Sequence, residues 1–67
     1  MTKKEILSKL RAQMKELDNK MSEAMQKGDG SEVNNVGYEI NDLQNFIMGI
    51  EGSPEHEAVG RWRKLYG

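Results

Sequence analysis

The single histidine of this 67-residue chain, His56, stands between Glu55 and Glu57, residue types that serve general acid–base catalysis and metal ligation. Their spacing works against both. Consecutive residues of a helix point in different directions, so the three side chains cannot converge on one ion or one proton. The chain has no cysteine, which excludes Cys–His nucleophile pairs, and one histidine excludes multi-histidine metal sites. A di-metal helical bundle needs Glu-x-x-His pairs on inward faces, and that motif does not occur. Gly28-Asp29-Gly30-Ser31 has the composition of a phosphate or calcium loop. It has neither the lysine of the one nor the carboxylate spacing of the other, so it reads as a turn between helices. His56 is expected to be an exposed surface residue. No catalytic residue, metal site or cofactor is assigned, and the chain reads as not an enzyme.

Two other groups suit recognition. Asn34, Tyr38, Asn41 and Asn45, continued by Met48, recur in steps of four and three and form a neutral polar stripe beside the apolar seam of a helix. Gly37 lies next to the stripe and would let another backbone or a flat ligand approach closely. Asparagine is a poor helix former, so several on one face point either to recognition, including self-association, or to a buried amide network. The second group is Arg61-Trp62-Arg63-Lys64 with Tyr66. Aromatics interleaved with guanidinium groups can stack on bases and hold phosphates, and Trp and Arg are also common anchors of protein interfaces. In a chain so short of core, completing that core is the favoured role for its one tryptophan.

The elements that must position these residues are helices. Leu7, Leu10, Met14, Leu17, Met21 and Ala24 step by three and four, as do Val33, Val36, Ile40, Leu43, Ile47 and Ile50. That coiled-coil-like period buries a narrow seam of one helix against another. Folded at Gly28-Asp29-Gly30, the two halves pair Leu7 with Ile50, Leu17 with Ile40 and Met21 with Val36, and every such pair of positions sums to 57. The spacing thus predicts an antiparallel helical hairpin of residues 3–27 and 31–50. Thr2-Lys3-Lys4-Glu5 has the form of a capping box for the first helix. Gly28 can end that helix, Asp29 or Ser31 can cap the second, and Gly49 and Gly52 mark its close. Ser53-Pro54 reads as a cap followed by the first residue of a short third helix, 54–66. Its apolar side (Ala58 or Val59, Trp62, Leu65, Tyr66) is expected over the open end of the hairpin, or across on a second chain. Phe46 widens the apolar face, and Ile6, Met25 and Phe46 are expected to be only partly covered. A hairpin with such a face is expected to pair into a homodimer or higher oligomer, a bundle of four long helices.

Sixty-seven residues bound the chain to one helical domain, 1–67, marginal on its own and without disulfides to stabilise it. Neither a signal-peptide run nor an apolar stretch of membrane-spanning length appears, which reads as cytoplasmic and without a membrane partner. Net charge is −1, which argues against general attraction to nucleic acid. The charges are segregated, however. Residues 1–27 hold seven Lys or Arg against four acids, whereas residues 28–60 hold seven acids and neither Lys nor Arg. A basic first helix beside an acidic second helix favours their pairing and sets orientation more than it adds stability. No family is named by these residues. The resulting expectation is a small non-enzymatic, all-α protein that binds another macromolecule stoichiometrically, as a regulator, inhibitor or adaptor. Compact, cysteine-free helical chains of this size are common among phage and bacterial accessory proteins. The alternative is an oligomer that binds nucleotide or oligonucleotide through Arg61, Trp62 and Arg63 together with the Asn34/Tyr38/Asn41/Asn45 stripe of a neighbouring chain.

Overall fold

The computed structural model describes residues 1–67 as three helices and no strands: α1 (Lys3–Lys27), α2 (Gly30–Glu51) and α3 (Glu55–Tyr66). The local signals act as the sequence implies. The Glu5 N–H donates to the Thr2 hydroxyl at 3.2 Å, and the Glu5 carboxylate receives the Thr2 N–H at 3.4 Å, closing the capping box. Gly28 takes φ +70°, which only glycine reaches without strain, and Asp29 N–H bonds back to the Ala24 carbonyl to finish α1. The Asp29 carboxylate then accepts the Glu32 N–H at 3.2 Å. Asp29 rather than Ser31 is therefore the cap of α2, which begins one residue earlier than its spacing suggests. Gly49 lies inside α2, and Gly52 follows its last turn in an ordinary right-handed conformation.

The junction between α2 and α3 departs from expectation. Ser53 does not cap α3; its hydroxyl donates to the Gly49 carbonyl at 2.7 Å, serving one of the unpaired acceptors at the end of α2. Pro54 sits at the N-cap position, and no side chain caps α3. The hydroxyl is turned inward because Ser53 is buried at the point where all three helices meet, and a buried hydroxyl must find a partner.

α1 and α2 pack as an antiparallel hairpin, and every residue of the two apolar series is buried or half-buried. The Met21 methyl stands 3.6 Å from where a Cβ on Gly37 would lie, within one residue of the expected register. Burial along the seam is uneven. The continuous core is Ile6, Leu10, Leu43, Ile47, Ile50 and Ala58, all at the open end of the hairpin. Leu17 and Ile40, at its middle, are only half-buried, and so is Leu7. Ile6, expected at a partly covered edge, is instead wholly enclosed, because α3 folds back and sets Ala58 into the same cluster. Met25 lies beyond the reach of α3 and is 63% exposed.

Lys3 ties this end together. Its ammonium donates to the Glu51 and Ser53 carbonyls, both at 2.8 Å, placing a cation at the negative end of α2. Its backbone N–H donates at 3.2 Å to the carboxylate of Glu55, so an anion from the first turn of α3 sits at the positive end of α1. No buried side-chain nitrogen or oxygen lacks a partner.

The outcome is an elongated molecule, 42 × 20 × 15 Å. Its radius of gyration is 13.7 Å, against about 11 Å for a compact chain of this length. The cause is a mismatch of helix lengths. At ~1.5 Å per residue α1 runs about 37 Å and α3 about 18 Å, so α3 thickens only half of the hairpin.

Since burial is concentrated at the open end, Ile6→Ala should cost about 2–5 kcal/mol and Leu17→Ala clearly less, by urea unfolding. Gly60 lies on the exposed side of α3 with open space where a Cβ would stand. Gly60→Ala should therefore raise stability by about 0.5–1 kcal/mol through helix propensity alone.

Candidate interaction surfaces

The aromatic residues singled out by sequence meet at one place. Trp62 and Tyr66, one turn apart on α3, stack with ring centroids 4.2 Å apart and planes 21° from parallel. Phe46 of α2 reaches Tyr66 at 6.3 Å in a tilted arrangement. Such contacts add about 0.5–1.5 kcal/mol beyond area burial and hold the last turn of α3 against α2. Trp62 and Phe46 are half-buried against the main core. Arg61 and Arg63 are exposed, and the Arg61 guanidinium lies over Gly49, whose missing side chain leaves room for it.

Beyond this cluster lies an open groove of about 410 Å³. Leu17, Leu43, Phe46, Leu65 and Tyr66 give it an apolar floor, and Gln13, Glu39 and Asp42 form its polar rim. Leu65 is 64% and Tyr66 49% exposed, so the last turn of α3 is not covered as its apolar spacing would suggest. The hairpin at that level is two helices thick and offers nothing to pack on its outer side.

The amide stripe lies elsewhere. Asn34, Tyr38, Asn41, Asn45 and Met48 are all exposed, which excludes a buried amide network within this chain. Asn34, Tyr38 and Asn41 line a second groove of about 480 Å³ whose remaining wall is Met21, Val33 and Gly37. This groove sits in the half of the hairpin nearer the loop, which α3 does not reach. Tyr38 is 72% exposed there, a large ring with no intramolecular packing to explain it.

The two grooves share no residue. The structure thus brings Phe46, Trp62 and Tyr66 together, and separately Asn34, Tyr38 and Asn41. Asn45, Arg61 and Arg63 line neither groove. Spacing alone misses the contributions of Gln13, Leu17, Glu39, Asp42 and Leu65. Asp42 and Glu39 were legible only as acids one and two turns from Phe46, a signal that acquires meaning once α3 is known to lie on that side. His56 and Glu57 are exposed, Glu55 is engaged by Lys3, and no group of three His, Asp or Glu residues could hold a metal ion. No helix is long and apolar enough to cross a membrane. No protein-family model matches the chain, and neither a curated protein nor a solved structure matches it.

Because Trp62 packs against the core while its cationic neighbours face water, Trp62→Ala should cost about 2–3 kcal/mol, short of the ~3–5 kcal/mol of a fully buried tryptophan. Arg61→Ala and Arg63→Ala should stay within about 0.5 kcal/mol of wild type by thermal or urea unfolding.

Proposed function

We propose that this chain is a non-enzymatic binding module, a regulator, inhibitor or adaptor that occupies a surface of another protein. Its recognition face is the amide-lined groove of α2. The observation that carries this reading is Tyr38, an exposed aromatic ring set in a row of asparagines beside a glycine floor. Tyrosine supplies a large rigid contact area at small entropic cost, and asparagine supplies adaptable hydrogen bonds, the combination that protein-binding loops favour. Gly37 keeps the groove open where a side chain would begin to fill it against Met21. The stripe carries no charge although it lies on an acidic helix, so a partner meets no rim of like charges across it. Self-association belongs to the same reading.

The nucleotide-binding alternative draws no support from the geometry. The indole of Trp62 is packed against the core and carries Tyr66 on one face, so it is not an open platform between Arg61 and Arg63.

Two substitutions separate recognition from folding. Tyr38→Ala removes an exposed ring and should leave the melting temperature within a degree or two of wild type. Gly37→Ala adds one methyl at ordinary contact distance from Met21 and should raise stability by about 0.5–1 kcal/mol. In a pull-down from the source organism, both should lose a partner that the wild type captures in a fixed ratio. Capture that survives both changes would place recognition elsewhere on the molecule.

A further inference from the structure

We infer that the Leu17–Phe46–Leu65–Tyr66 groove receives a cationic side chain of a partner protein, an arginine with an apolar neighbour. This rests on the reading of the chain as a protein-binding module and assigns the chemistry of a second contact, separate from the amide-lined groove.

The lining sets the sign of the occupant. Eight residues line the groove, and the two that carry charge, Glu39 and Asp42, are both acids. They stand one turn apart on the same side of α2, so both carboxylates reach one rim. Neither takes part in a side-chain hydrogen bond of the molecule; those bonds lie at the ends of the helices. The charges just outside the lining do not reverse the sign. Glu16 and Lys20 of α1 are four residues apart and offset each other. Lys9 stands level with Met48, on the half of the hairpin that α3 covers, and Arg63 and Lys64 line no part of the groove. The last turn of α3 opens on the groove and brings the negative end of a helix dipole to it.

The aromatic wall selects arginine. Tyr66 is half exposed although Trp62 stacks on one of its faces, so its opposite face and edge are what the groove presents. A guanidinium is planar, stacks on an aromatic face and pairs with carboxylates through several donors at once. An ammonium is a compact, strongly hydrated point charge and does only the last of these, through fewer donors. The aliphatic stem of an arginine lies well on Leu17 and Leu43, and an apolar neighbour covers the exposed Leu65. A volume of about 410 Å³ is at the small end of ligand sites, a size for one or two side chains rather than a whole helix.

The probe is the acetylated, amidated tripeptide Leu-Arg-Leu, titrated into the isotope-labelled full chain and followed by amide chemical shifts. Resonances of Leu43, Phe46, Leu65 and Tyr66 should move together, and the emission of Trp62, stacked on Tyr66, should change with them. The citrulline peptide, which keeps the shape and loses the charge, should bind at least about fivefold more weakly, and the lysine peptide about twofold to threefold more weakly. Glu39→Gln with Asp42→Asn should weaken the arginine peptide by at least about fivefold; both positions are exposed, so the helical fold should persist by circular dichroism. Tyr38→Ala should bind the peptide as the wild type does, and the Glu39/Asp42 variant should still capture the partner of the amide-lined groove, so failures of the two sites are read separately. Equal binding of the arginine and citrulline peptides would overturn the proposal, as would indifference to the Glu39/Asp42 change. So would the absence of shifts at ~10 mM peptide, beyond the range of even a weak specific contact. A chain that forms dimers which the Glu39/Asp42 change dissociates would show the occupant to be a second copy, and would overturn the assignment to a partner protein.

Discussion

A third helix half as long as the hairpin it packs on is the constraint from which the other features of this molecule follow. Two helices alone bury only a narrow seam, which encloses small side chains such as Ala24 and Val36 but leaves the larger ones beside them partly open. Where α3 lies across the hairpin, Ile6, Leu10 and Ile50 become fully enclosed and Ala58 fits among them. Each such enclosure of a large aliphatic side chain is worth about 1.5–3 kcal/mol. Where α3 stops, the same series keeps Ala24 and Val36 buried but leaves Leu17, Met21, Val33 and Ile40 only partly covered. The periodicity is uniform from end to end, but the energy it yields is not.

Docking of α3 depends on how three helix ends meet. A three-residue connection between α2 and α3 leaves carbonyls of α2 and the first N–H groups of α1 close together, and each end carries a partial charge of the helix dipole. Lys3 and Glu55 answer both, ammonium to carbonyls and carboxylate to N–H. Ser53 turns its hydroxyl into the same knot. The hydrogen bonds are individually modest, since charged groups near the surface retain much of their hydration. Their effect is directional, because they place α3 beside the Phe46 flank of α2. With α3 there, Tyr66 can stack on Trp62 and touch Phe46.

Both candidate interaction surfaces arise at the limits of α3. The aromatic groove forms where its last turn runs past the support beneath it, leaving Leu65 and Tyr66 uncovered over Leu17. The amide-lined groove forms where α3 never reaches, so that Met21 and Val33 are flanked by Asn34, Tyr38 and Asn41 rather than by a third helix. One surface is apolar with an acidic rim on α2, the other neutral and rich in amide groups. Surfaces so different in chemistry suit different partners, and a small bundle can hold two of them because it has so little interior.

The amino-acid sequence by itself determined the number of helices, their ends to within a residue, and the antiparallel pairing of the first two. Those features rest on rules that act over three or four residues: a capping box at Thr2 and Glu5, a positive φ at Gly28, a three-four apolar step. It also showed that the chain holds one histidine and no cysteine. Only the tertiary structure decided that Ile6 rather than Leu7 is sealed, that Ser53 serves α2 rather than α3, that the asparagines face water, and that Leu65 and Tyr66 stay open. Each of those outcomes turns on which side of the hairpin a twelve-residue helix settles, through contacts between residues some fifty positions apart, such as Lys3 with Glu55. Spacing along one helix reports the direction in which a side chain points, but not what another element brings to meet it.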